Sequence, residues 1–401
     1  MNRVLLILAL SVAWPAVALP LPRGDPERPV VSAPAQSPVA RPSAPAKLPT
    51  PQVSETGYTS AFVCGRCHAD IYASWKRSMH AFSLSDPVFD VALMQAVRAE
   101  PAARALCLKC HAPVTLYNGD VDLAEGITRE GVTCDFCHSV TAAHVGHSET
   151  PYVVQPGRVK RSTMARANSP AHDVAFSELH SRSEFCGACH YHETENGTVV
   201  MGTFAEWQAG PYAREGVQCQ DCHMVLGSGR VVHQDVKETS GAINLHDLIH
   251  DTNQLKSAVR IRVVDLSYQE GALIATVEIT NVGSGHMIPT GVPNRELLLQ
   301  VEARRGDGSV ERREKRYRKV LAGADGKPLT LDYEAFLYAR SVVSDNRIGP
   351  RESRRETFRF DIPRGEGVEV SASAIYHYQP LVLDHRPMVI TLATDSRYSY
   401  R

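Results

Sequence analysis

No charge of one sign prevails in this 401-residue chain: 43 Lys and Arg stand against 44 Asp and Glu. No long basic run appears either, so the electrostatic footprint of a nucleic-acid binder is missing. Aromatic residues are few, at 7%. The apolar run Val4–Trp14 is too short to span a bilayer comfortably, and Pro15 follows it. No cysteine follows residue 256, and none is left over once the others are paired. The last third carries neither a catalytic triad nor a phosphate loop. Length alone predicts two to three domains.

What is present begins with a targeting pattern. Arg3 supplies a short positive region, Val4–Trp14 the apolar stretch, and Ala16-Val17-Ala18 an A-x-A cleavage site. Residues 1–18 therefore read as a secretory signal peptide, which predicts a periplasmic or extracellular protein with no transmembrane span after cleavage. No cysteine near the cleavage site offers a lipid anchor. Residues 19–56 read as a Pro/Ala-rich disordered linker. Ten of the 25 prolines lie between Pro20 and Pro51, and such a stretch fits neither a helix interior nor a sheet.

The ten cysteines fall into five pairs, each followed by histidine: Cys64, Cys67 and His68; Cys107, Cys110 and His111; Cys134, Cys137 and His138; Cys186, Cys189 and His190; Cys219, Cys222 and His223. This is five copies of the C-x-x-C-H signal for haem c attachment. Each thiol pair would form thioethers to one haem, and each following histidine would be the proximal iron ligand. Structural zinc would pair two C-x-x-C units and has no need of the histidine. A disulfide framework would not repeat one spacing five times. The expectation is five covalently attached haem c groups within residues 57–255. So little chain per haem makes porphyrins the core, wrapped by short helices and loops. The intervals between motifs are irregular, which excludes a tandem repeat.

Twelve histidines remain as candidates for the sixth iron position. His80 stands out, because Asp70–Ala81 reads as a helix with Ile71, Tyr72, Trp75 and Met79 on its apolar side. Along such a helix His68 and His80 are too far apart to share an iron, so His80 is expected to serve another haem. The i, i+8 spacing of His172 and His180 places them near one helical face. One of His144 and His147 is a plausible ligand, with His147 carried forward as the candidate. His246 and His250 form an i, i+4 pair on an expected helix, and His246 is carried forward. His233 is comparable. His192 lies too close to His190 to ligate, and His377 and His385 read as ordinary. No C-x-x-C-K variant is present, so a Lys-ligated catalytic haem is not expected, and no catalytic side chain is assigned.

From residue 256 to 401 the pattern changes to period two. Val259-Ile261-Val263, Leu273 to Ile279, Leu297-Leu299-Val301, Phe358-Phe360-Ile362 and Val368 to Ala374 alternate, with turns at Gly306-Asp307-Gly308 and Asp325-Gly326. This predicts a β-sandwich of about seven strands, immunoglobulin-like in class. The whole is thus an α+β multidomain chain: a mostly α and loop, haem-packed domain followed by a sandwich. In the loop Asn281–Gly291, glycines flank His286, and close backbone approach would let it reach across to a haem as a distal ligand.

Three stretches resemble the cytochrome c-554 family of multihaem cytochromes. They are Cys64–Phe89 (CGRCHADIYASWKRSMHAFSLSDPVF), Gly131–His138 (GVTCDFCH) and Phe185–Met224 with TFAEWQAGPYAREGVQCQDCHM. The GHMIPTG loop is similar to one found in multihaem cytochromes with β-rich C-terminal parts. The resemblance spans roughly residues 60–295. It implies stacked, mostly bis-His haems and electron transfer outside the cytoplasm, with the distal role falling most readily on His80, His172 and His286. The chain departs from the better-known tetrahaem members, one of whose haems lacks a sixth ligand, by its fifth motif and its β part.

The expected function is electron transfer between redox partners. Donor and acceptor proteins would include other cytochromes or a membrane quinol-oxidising complex, and nucleic acid is not expected. A reductase or oxidase of a small nitrogen or sulfur compound at one open haem is the alternative. A docking or assembly subunit of an extracytoplasmic electron-transfer complex is another.

Overall fold

A computed structural model describes residues 52–146, 149–232, 241–248, 252–378 and 387–399. The expected signal segment, nearly all of the linker, and His147, His233, His250 and His385 lie outside the described residues. The chain from Thr50 to Arg401 clusters as one unit.

The first half is built from short helices, and each attachment motif sits on or at the end of one: Ala61–Gly65, Ala103–His111, Cys134–Ser139, Ser183–Gly187 and Cys219–His223. One helical turn brings positions i, i+3 and i+4 to the same side, which is what C-x-x-C-H needs to present two thiols and an imidazole together. Two of these helices are capped at their starts by side chains. The Ser60 hydroxyl accepts from the Phe62 amide, and Asp221 accepts from the Gln218 amide. The longest helix here, Pro87–Ala99, starts from an Asp86 cap with proline in its first turn.

Apolar packing in this half is sparse. One cluster holds Val114, Phe136, Val140, Tyr152 and Ala188; another holds Leu93, Leu108 and Ala112. Ser54 and Glu55, at the end of the expected linker, are already tied to the body through Thr59 and Arg158.

The expected helix over 70–81 is shorter, Ala69–Trp75, and continues as turns through Ser85. Trp75 is buried and donates its indole N–H to the Val132 carbonyl, whereas Met79, placed on the apolar face by periodicity, is 51% exposed. His172 and His180 do not share a helix. The first precedes a short strand, Asp173–Phe176, and the second lies in the 3-10 turn Glu178–Ser181. Nor is His246 helical; it follows the strand Ala242–Asn244.

From Val259 onward seven long strands make two antiparallel sheets: β1 (Val259–Gln269), β2 (Ala272–Asn281), β3 (Arg295–Arg305), β4 (Val310–Tyr317), β5 (Ser353–Phe360), β6 (Val368–Tyr378) and β7 (Met388–Ser399). One sheet has the order β5-β2-β1 and the other β4-β3-β6-β7. Leu273 pairs with Phe360, and Leu299 with Ala374. The inward positions of both sheets, among them Ile261, Val277, Leu299, Val370 and Phe360, join in one apolar core. Between β4 and β5 lie the helix Asp332–Tyr338 and a hairpin of Lys319–Ala322 with Ser341–Asp345.

Candidate haem sites

The structure sets histidines from distant segments face to face with the motif histidines. His172 faces His68 with ring centres 6.1 Å apart. His80 faces His190 at 6.3 Å, His246 faces His138 at 6.4 Å, and His286 faces His223 at 6.4 Å with planes only 10° apart. A metal–imidazole bond is about 2 Å and the ring centre lies about 1 Å behind the ligating nitrogen, so two rings on one iron have centres about 6 Å apart. The four pairs fit one iron each.

In five of these eight imidazoles a hydrogen bond to a carbonyl prepares the same nitrogen for ligation, whereas His223 Nδ1 meets the Gln254 side-chain amide nitrogen at 3.4 Å. His68 Nδ1 meets the Val231 carbonyl at 2.5 Å, His138 Nδ1 that of Arg161 at 2.5 Å, His246 Nδ1 that of Asn244 at 2.7 Å, and His172 Nδ1 that of Asp173 at 3.0 Å. His286 Nδ1 meets the Met287 carbonyl at 3.0 Å. Donation from Nδ1 selects the tautomer that leaves Nε2 bare, the form that binds metal. Burial favours the neutral ring as well. It pushes His80 down to about 3, with His190 adding to the effect. It pushes His190 and His246 down to about 4.

Each distal candidate is held by its neighbours. The segment carrying His80 is pinned where the Val132 amide donates to the His80 carbonyl and the Ser83 hydroxyl to the His111 carbonyl. Gly131 permits this approach. Its φ is +70°, and a Cβ there would stand 2.6 Å from Ser83 Oγ and 2.8 Å from the His80 carbonyl. The His246 amide donates to Ser74 on the first long turn of helix. The His286 loop is clamped by Asn281, whose side chain donates to the His286 carbonyl. Glu206 also clamps it, accepting from the Met287 amide and the Thr290 hydroxyl. Glu206 is itself paired with buried Arg347 at 2.7 Å.

The remaining candidates are placed otherwise. His180 lies 5.8 Å from His138, but both its nitrogens are engaged, Nε2 with the Cys137 carbonyl at 2.9 Å and Nδ1 with Ser177 at 2.8 Å. Both nitrogens of this ring are thus occupied by protein partners. His192 packs on Phe336, and His377 stands 3.8 Å from Glu296. His111 meets no second imidazole among the described residues. Phe89 lies flat against it instead, with ring centres 3.6 Å apart and planes 7° apart. Sequence reasoning did not single out Phe89, although the proline-started helix that carries it was a visible signal.

The thiols of different motifs also approach one another. The thiols of Cys64 and Cys134, of Cys110 and Cys189, and of Cys186 and Cys219 lie near enough to shift each other's ionisation.

Repeated C-x-x-C-H motifs with a second imidazole near four of their histidines are features of multihaem c-type cytochromes. Within that class, residues 63–139, which hold the first three motifs, match the family described as cytochrome c554 and c-prime. The fold is similar to that of a penta-heme cytochrome c552 from Thermochromatium tepidum, with a TM-score of 0.70 and 22% identity over 85% of this chain and 99% of that one. A structural genomics target, SoR45, and the putative ApaA protein from Bordetella pertussis overlap about a third of the chain at TM-scores of 0.18 and 0.19, too low to bear on the fold. No curated protein matches the chain.

Proposed function

We propose that the chain is an exported five-haem cytochrome that passes electrons between protein partners, with four of its haems held by two histidines each. The observation that carries this reading is the set of four histidine pairs at 6.1 to 6.4 Å. A bound haem supplies a one-electron iron couple whose potential follows its axial ligands, burial and hydrogen bonds. The chain's own part is to hold both imidazoles neutral, fix their tautomer through carbonyl contacts and exclude water. The two sheets that share a core are read as a β-sandwich of immunoglobulin-like class, with the haem part at 57–255 and the β part at 256–401. The signal-like segment supports export, and donor and acceptor cytochromes or a membrane quinol-oxidising complex remain the partners proposed.

A second reading rests on His111. With Phe89 against it and no facing imidazole among the described residues, the haem at Cys107 and Cys110 would keep an open position. A small nitrogen or sulfur compound could bind and be reduced or oxidised there.

One experiment addresses both readings. Haem content of the purified protein is measured first, with five per chain expected. The reduced protein is then titrated with carbon monoxide. No binding supports pure electron transfer, and one equivalent supports an open site at His111. Two or more equivalents overturn the four-pair arrangement.

A further inference from the structure

The fifth motif comes to the surface, and a basic strand starts beside it. Cys222 is the one exposed cysteine of the ten. The short helix Thr252–Ala258 rests on this motif. Its Gln254 side chain donates to the Cys222 carbonyl at 3.1 Å and lies 3.4 Å from His223 Nδ1. The helix runs directly into β1. At the junction the Ala258 carbonyl accepts from the Val282 amide, at the root of the His286 loop. The start of β1 is thereby tied to the segments that carry His223 and His286.

Alternation then decides where the charges go. Val259, Ile261 and Val263 enter the core, so Arg260 and Arg262 project from the outer face of the sheet, where both are exposed. Lys256, one helical turn earlier, is exposed as well. Arg262 lies opposite Glu278 in the register, and Glu278 opposite Arg355. Glu278 is already paired with Arg355 at 3.0 Å. The other carboxylate of this face is Asp265, three residues on. Among the described residues Lys256, Arg260 and Arg262 have no hydrogen-bond or ion-pair partner for their charges. The other sheet differs. There Arg312 is matched by Glu302, and Arg316 and Arg318 by Glu296, each at 2.6 Å. In a chain with 43 basic and 44 acidic side chains, unmatched cations gathered between residues 256 and 262 are a local excess.

We propose that Lys256, Arg260 and Arg262 form the docking surface for an acidic redox protein, and that electrons cross at the fifth motif beside them. This rests on the reading that the fifth motif carries haem. Each encounter moves one electron between the partner and the iron at His223. One is oxidised as the other is reduced, and no bond is made or broken. Cations not cancelled within their own chain attract a negative surface and orient it. The outward neighbours of the arginines are polar, with Thr280 and Ser353 bonded to each other at 2.8 Å. The face therefore offers no apolar side chain to enter a bilayer, which favours a protein over an anionic membrane.

The test uses the complete five-haem protein, with reduced flavodoxin, an acidic electron donor, as the probe. Binding to immobilised flavodoxin and the stopped-flow rate of haem reduction are both measured at rising ionic strength. Both are expected to weaken as salt shortens the reach of the charges. Arg260→Glu combined with Arg262→Glu should slow reduction at low salt by about tenfold, the low end of electrostatic steering. Arg260→Gln with Arg262→Gln should fall between that variant and the parent protein. Arg340→Glu with Arg364→Glu makes an equal change of charge at exposed sites off this face and should leave the rate near that of the parent. Rates that ignore salt, or that fall equally in both charge-reversed variants, overturn the proposal. If charge reversal at Arg260 and Arg262 releases the protein from phosphatidylglycerol vesicles and leaves flavodoxin binding unchanged, a membrane is the occupant and the acidic-protein assignment is overturned. The haem reading fails separately. If the parent protein binds flavodoxin but shows no haem spectrum, that reading has failed. If its haems are reduced at a rate indifferent to the arginines, only the docking surface has failed.

Discussion

His138 has two imidazoles near it, and replacing each in turn separates a ligand from a strut. His246 lies 6.4 Å away and His180 5.8 Å, so distance alone does not choose. The free nitrogens do. With each ring centre about 1 Å behind its ligating nitrogen, 6.4 Å leaves about 4 Å between the Nε2 atoms of His138 and His246, the length of two metal–imidazole bonds. His180 would have to give up its Nε2 bond to the Cys137 carbonyl, worth about 1 kcal/mol net, before that nitrogen could reach an iron. His246→Ala should therefore convert one haem in five to a high-spin form and raise carbon monoxide binding by one equivalent per chain. His180→Ala should leave the stoichiometry unchanged. His246→Met should restore low-spin iron at a higher potential, as methionine ligation does. Absorption spectra and gas titration of the reduced proteins give the answer directly. An added equivalent in His180→Ala but not in His246→Ala would refute the assignment and the hydrogen-bond argument behind it.

Asp135 is fully buried and bonded to Lys160 at 2.5 Å and to the Thr59 amide, so Lys160→Met should cost about 3–5 kcal/mol by stranding a charge, read as a lower denaturant midpoint. Leu299→Ala in the core shared by both sheets should cost about 2–5 kcal/mol. Val310→Ala, at a site 41% exposed, should stay within about 0.5 kcal/mol. Phe89→Ala removes the ring stacked on His111 and should alter the spectrum of one haem alone, leaving the other four unchanged. A chain produced without haem attachment should show slow amide exchange in β2, β3 and β6 and fast exchange in the attachment helices; uniform protection across both would count against a cofactor-built first half.

The five C-x-x-C-H motifs were legible because each is a local pattern, complete within one helical turn. The histidines that lie near them were legible as a list but not as pairs. His172, His80 and His246 reach their partners through contacts such as Ser74 with the His246 amide and Val132 with the His80 carbonyl, which join segments far apart in sequence. Periodicity also misled locally. It extended a helix past Trp75 and put His172 and His180 on one face, where tertiary contacts impose turns and a short strand instead. In the β part, alternation marked the strands whose inner face is apolar. The edge strand β4, Val310–Tyr317, was missed because charged residues fill six of its eight positions, the composition of an edge protected against further pairing. The Glu206–Arg347 pair under the His286 loop had no sequence signal at all.

Thiols influence each other across motifs, Cys64 with Cys134, Cys110 with Cys189 and Cys186 with Cys219, so motifs that are not consecutive in the chain come near one another. The same weave explains what holds this half together. Its apolar clusters are small, whereas the β part has one continuous core. Each histidine pair, closed on an iron, would link segments from different parts of the chain, and the entropy of closing such loops rises only slowly with their length. A haem held by two thioethers and two imidazoles can thus stand in for a core that the sequence does not provide. Of the four pairs, the one at the fifth motif alone draws its second histidine, His286, from the β part, through a loop fixed by Glu206 and Arg347. On the proposed reading the β part would therefore help to complete the haem site at the fifth motif, which would tie its folding to the potential of that haem.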